Sequence, residues 1–125
     1  MNASERWLKF AEEDLRMAEL ARDEGLHAQA CFHAQQVAEK ILKGWLRAKG
    51  RRPPRTHSIV DLAGLAKREG LPRDLARRLS ALDAFYLTTR YPDAVPSDKD
   101  RPGKSDSGDA LRLAVEVMRW ANEHS

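Results

Sequence analysis

One stretch constrains the fold more than any other. Between Gly25 and Gly50, the apolar residues Ala30, Ala34, Val37, Ala38, Ile41 and Trp45 recur at helical spacing. That period predicts a helix from about His27 to Ala48 with one core face, and such a face must be covered by other helices. The composition agrees: 18 Ala and 15 Leu stand against 5 Val and 2 Ile. Ala and Leu lose little freedom in a helix, whereas β-branched residues favour strands. A length of 125 residues suits one domain and one core.

The neighbours supply the covering helices. Ser4 is read as the N-cap of a helix over about 4–24, with Trp7, Ala11, Leu15 and Ala18 on its inner face and Gly25 as its stop. Pro53-Pro54 then breaks the chain. Ser58 with Asp61 starts a short helix to Glu69, closed by Gly70. Pro72 opens a fourth helix carrying Leu75, Leu79, Leu82, Phe85 and Tyr86 towards Thr89. Residues 91–108 are rich in Pro, Gly and polar types and are expected to be irregular, either functional or mobile. A last helix, about 108–123, offers Leu111, Ala114, Val115, Met118 and Ala121 to the core. The expectation is an all-α, up-down antiparallel four-helix bundle with one additional short helix, residues 1–125 forming a single domain.

Several chemistries are excluded on the same grounds. No apolar run is long enough to span a membrane. The start, MNASERWLKF, has no stretch of signal-peptide length, so a cytoplasmic protein is expected. Cys31 is the sole cysteine, and the four histidines lack metal-ligand spacing, so neither a metal nor a cofactor is expected. No Gly-rich phosphate loop or nucleophile elbow occurs.

The net charge of +3 hides an uneven distribution. Residues 1–39 carry four bases and eight acids, and residues 58–125 carry eleven of each. Between them, Lys40, Lys43, Arg47, Lys49, Arg51, Arg52 and Arg55 occur with no acid at all. Such a block is either a footprint for an anion or nucleic acid, or a solvated helix end and loop. Within it, Gln29, His33, Gln36, Lys40, Lys43 and Arg47 share one face of the second helix. This face either lines a groove for a phosphate-bearing ligand or forms a solvated or dimer-seam stripe. Further on, Arg90-Tyr91-Pro92-Asp93 ends the fourth helix. Arg90 there either pairs with Asp93 or is aimed with Tyr91 into a cleft.

These residues together resemble the HEPN family (higher eukaryotes and prokaryotes nucleotide-binding). The resemblance spans nearly the whole chain. It rests on Trp7 with Ala11, Asp14, Leu15 and Ala18, on the string Ala30-Cys31-Phe32-His33-Ala34-Gln35-Gln36-Val37-Ala38-Glu39-Lys40 with Lys43, on Thr56-His57-Ser58, and on Thr89-Arg90-Tyr91-Pro92-Asp93. It implies a helical bundle that dimerises, often beside a minimal nucleotidyltransferase in a toxin–antitoxin-like pair. Some relatives are metal-independent ribonucleases using an Arg, four to six intervening residues and a His. Here no His follows Arg90 through residue 108. Arg51 and Arg52 do precede His57 at permitted spacing, as Arg22 precedes His27 and Arg119 precedes His124, but Arg52 and His57 are separated by Pro53-Pro54, which keeps that pair off one helical turn.

Three readings follow. In the leading one the chain binds a nucleotide or RNA, with His33, Gln36, Lys40, Lys43, Arg47, Arg90, Tyr91 and Asp93 forming the site. In the second it is a ribonuclease toxin with His57 as general acid/base and Arg52 or Arg55 stabilising the transition state. In the third it is a non-catalytic adaptor or antitoxin-like homodimer.

Overall fold

In the computed structural model, which describes residues 1–88 and 101–125 but not the side chains of residues 87 and 88, every regular element is helical. The order is α1 (Ala3–Asp23), α2 (His27–Ala48), α3 (Ile59–Lys67), α4 (Arg73–Leu79), a 3₁₀ turn (Ser80–Asp83), α5 (Ala84–Thr88) and α6 (Lys104–His124). The sequence-predicted site residues Arg90, Tyr91 and Asp93 lie outside the described residues, as does most of the predicted irregular loop.

Local chemistry accounts for the element ends. α1 is capped by Asn2 rather than Ser4: Asn2 Oδ1 accepts from the Glu5 amide at 2.9 Å, and Glu5 Oε2 accepts from the Asn2 amide at 3.3 Å. This reciprocal pair satisfies two donors that a helix start leaves free. Gly25 and Gly50 take φ of 76° and 77° just past the ends of α1 and α2, the left-handed geometry that glycine adopts without a Cβ penalty. Ser58 caps α3 as expected, its Oγ accepting from the Asp61 amide at 3.1 Å. Asp83 adds a second cap from a distance, accepting from the Ile59 and Val60 amides at 2.6 and 3.0 Å.

Two sequence expectations need correction. The fourth helix is not continuous, because a 3₁₀ turn divides it. Just there, the Ser80 hydroxyl donates to the Ala76 carbonyl at 2.9 Å, a back-bond that bends helices. The last helix begins at Lys104 and not near 108. Asp106 accepts from the Gly103 amide at 2.8 Å, and Ser107 and Gly108 are buried helical residues despite their loop-like composition. Its buried stripe is also turned by about one position: Ala110, Ala114, Val117, Met118 and Trp120 are buried, whereas the expected Leu111, Val115 and Ala121 are only partly so.

α2 is the central element and packs against α1, α3 and α6. Trp7 of α1 lies against Gly44 near the far end of α2, so the two helices are antiparallel. α6 runs alongside α2 in the same direction, with the Trp45 and Trp120 rings 4.3 Å apart. The α4–turn–α5 limb runs the other way, from Gly70 near Trp45 to Tyr86 near His57. This is the expected up-down bundle, with one limb segmented. Leu42, Leu46, Ile59, Leu62, Leu79 and Leu82 are its largest fully buried aliphatic side chains. Among the described residues, no helix is long and apolar enough to cross a membrane.

Candidate functional site

The polar stripe of α2 is unevenly exposed among the described residues. Gln29 and Arg47 are exposed, His33, Gln36 and Lys40 are half-buried, and Lys43 is buried. The reason is two acids that the stripe itself does not contain. Asp14 of α1 takes His33 Nδ1 at 2.9 Å on one oxygen and Lys40 Nζ on the other. Burial pushes the Asp14 carboxyl up, but hydrogen bonds and charge from His33 and Lys40 outweigh it and hold the group below the usual aspartate range.

Glu39 organises the second cluster. Its side chain is 5% exposed, and each oxygen has a partner: Oε1 lies 3.1 Å from His57 Nδ1, and Oε2 accepts from Lys43 Nζ at 3.2 Å. The His57 backbone carbonyl accepts from Gln35 Nε2 at 3.2 Å, and Gln36 Nε2 donates to Gln35 Oε1 at 2.7 Å. The imidazole stacks on Tyr86 with centroids 4.8 Å apart and planes 16° apart, yet its side chain stays 58% exposed. His57 is thus held by a buried carboxylate, a backbone anchor and a ring. When Nδ1 carries the proton towards Glu39, Nε2 holds the lone pair.

The acid-free segment in sequence is not acid-free in space. Lys40 meets Asp14, Lys43 meets Glu39, and Arg51 Nε lies 3.2 Å from Glu69 Oε1. Lys49 sits over the Trp45 ring at 4.5 Å. Arg47, Arg52 and Arg55 are exposed and form no ion pair among the described residues. They lie on the end of α2 and the loop that leads to His57. Pro54 and Thr56 of that loop also line an open groove of about 960 Å³ against α3, to which Lys67, Arg68 and Arg73 contribute.

Of the sequence-predicted residues, the structure brings Lys43 and His57 to the shared carboxylate of Glu39, and His33 and Lys40 to Asp14. Asp14, Gln35, Glu39 and Tyr86 were not among the predicted site residues. Asp14 did carry a signal, since it is an acid between Ala11 and Ala18 on a buried stripe. Elsewhere, buried Ser107 ties three helices: its Oγ accepts from Arg22 Nε at 3.2 Å, lies 2.9 Å from His27 Nδ1 and donates to the Lys104 carbonyl at 3.1 Å. Among the described residues, no group of three His, Cys, Asp or Glu is placed to hold a metal.

Solved structures share this arrangement of helices. TT1696 from Thermus thermophilus is 37% identical, with a TM-score of 0.86 and coverage of 98% of both chains. ST0689, an archaeal HEPN homologue, is 32% identical with a TM-score of 0.79, covering 99% of this chain and 98% of its own. A HEPN domain protein of Thermotoga maritima, tm0613, is 25% identical with a TM-score of 0.73, over 94% and 95% of the two chains. No curated protein matches. The family model described as HEPN domain matches residues 4–124. The chain therefore belongs to the HEPN domain family.

Proposed function

We propose that this HEPN domain binds the phosphate groups of a nucleotide or RNA at the end of α2 and the loop after it, as a homodimer that works beside a minimal nucleotidyltransferase. The observation that carries the reading is the set of exposed cations, Arg47 at the end of α2 and Arg52 and Arg55 in the loop before His57, which form no ion pair among the described residues. Planar guanidinium groups suit phosphate oxygens, and a local positive excess draws a polyanion. Lys40 and Lys43 are already engaged by Asp14 and Glu39, so the binding role shifts from them to the three arginines.

The test is anisotropy of a labelled RNA oligonucleotide at two salt concentrations. Substituting both Arg52 and Arg55 by alanine is expected to weaken binding and to lower the salt slope by roughly 1 to 2. No binding at low salt, or an unchanged slope in the double variant, refutes the assignment.

A second reading has its own observation. The buried Glu39 carboxylate fixes His57 as the carboxylate of a catalytic dyad would, and Arg52 and Arg55 flank the same loop. In that case His57 takes a proton from the ribose 2′-hydroxyl as it attacks the adjacent phosphorus, and returns one to the leaving 5′-oxygen. Incubation with RNA in EDTA, beside His57→Ala, separates the two readings. Binding without cutting leaves the first, and cutting lost in the variant establishes the second. A protein that neither binds nor cuts, yet forms a complex with its co-expressed neighbour, is an adaptor.

A further inference from the structure

α1 carries an outward stripe that the bundle leaves unused. Phe10, Met17 and Leu20 are 54%, 50% and 43% exposed. With Arg6, Glu13 and Glu24 they recur at alternating spacings of four and three, which is the repeat of a two-helix seam. The stripe borders the face that buries Ala11, Asp14 and Ala18, with Phe10 and Met17 on either side of Asp14. A second copy seated there would therefore also shield the half-buried His33 and Lys40 that meet Asp14.

We infer that this stripe pairs antiparallel with the same stripe of a second copy of the chain. Two features of the charge pattern select that occupant. Laid antiparallel about a two-fold axis, Arg6 faces Glu24, Phe10 faces Leu20 and Glu13 faces Met17, and each contact is made twice. Laid parallel, Arg6 would meet Arg6 and Glu24 would meet Glu24. The second feature is the helix dipole, whose positive end favours acids and whose negative end favours bases. Arg6 lies in the first turn of α1 and Glu24 at its C-terminal cap, each at the wrong end of its own helix. Neither forms an ion pair among the described residues. An antiparallel partner corrects both, bringing an acid to the N-terminus and a base to the C-terminus. From Arg6 to Glu24 the seam is roughly 27 Å long.

This inference specifies the surface of the dimer named under the proposed function and rests on that part alone. Sedimentation equilibrium without nucleic acid, from about 1 to about 300 µM protein, tests it apart from phosphate binding. The wild-type chain is expected to show a dimer mass across the upper part of this range. Met17→Glu places a charge in the seam twice and should raise the dissociation constant at least about a hundredfold. Arg6→Glu sets an acid against Glu24 twice and should raise it about tenfold, and adding Glu24→Arg should restore it. These positions are exposed, and circular dichroism of each variant verifies the fold. A wild-type monomer overturns the inference. So does a dimer indifferent to both single variants, or a charge swap that does not rescue. A monomer that still binds RNA refutes this interface while leaving the phosphate site intact.

Discussion

Two glycines in the interiors of helices provide a matched pair for testing how closely α1 and α2 approach. A Cβ built on Gly44 would lie 2.9 Å from Trp7 Cβ and 3.5 Å from the Ser4 carbonyl, whereas one built on Gly64 of α3 meets nothing within 4 Å. Alanine is favoured over glycine in a helix interior by about 1 kcal/mol, and both sites gain this. At Gly44 the obstacle is the root of a side chain, so relief requires α1 itself to withdraw. Overpacking of this kind costs about 1–3 kcal/mol. The balance for Gly44→Ala is a loss of about 1 kcal/mol, and for Gly64→Ala a gain of about 0.5–1 kcal/mol. In a domain of this size the corresponding Tm shifts are roughly 3–6 °C down and 2–5 °C up. Urea unfolding followed by helical circular dichroism, with the m-value checked for constancy, measures both. If Gly44→Ala is as stable as Gly64→Ala, the close approach does not hold α1 in place and the packing argument fails.

Two further outcomes follow from buried groups. Asp14→Asn leaves Lys40 and His33 half-buried without their anion and should cost about 2 kcal/mol at neutral pH, read as a lower urea midpoint. Because the folded state holds the Asp14 carboxyl below its ordinary value, its contribution is present above about pH 4 and is lost as pH falls through the folded value. The wild-type chain should therefore lose stability below about pH 4 more steeply than Asp14→Asn, and parallel acid titrations would contradict the assignment. Cys31 is fully buried and its thiol is pushed up to about 12, by burial first and then by the charge of Asp106. It should ignore iodoacetamide in the native protein and react on unfolding, and rapid native labelling would show α2 to be looser than described.

The sequence was most legible where one residue decides an outcome by itself. Gly25 and Gly50 end helices because only their φ permits the turn, and α2 has the bounds its periodicity predicts. The α6 start was missed because Ser105, Ser107 and Gly108 read as loop residues by type. Burial of Ser107 and Gly108, with Ser107 bonded to Arg22 and His27, outweighs that preference, and no local pattern reveals those partners. The candidate site was half-visible for a related reason. Periodicity aligned His33, Lys40 and Lys43 on α2, but their roles depend on Asp14, on another helix, and on Glu39, which sits off the polar face. The long acid-free run was real as a string, yet Glu69 meets Arg51 at the end of α3, where the Glu69 carbonyl accepts from Trp45 Nε1 and ties that end to α2.

The Asp83 cap has a consequence for how the molecule opens. α3 has nine residues, fewer than a helix needs to persist alone in water, and two of its first amides bond to a carboxylate more than twenty positions later in the chain. The short helix and the 3₁₀ turn must then come apart together, so Ile59 and Val60 should exchange their amide hydrogens in the same event that releases the turn. His57 stands two residues before the first of those amides. The opening that frees α3 also slackens the loop holding the imidazole against Glu39, so the lifetime of that contact is set partly by an aspartate that never touches it.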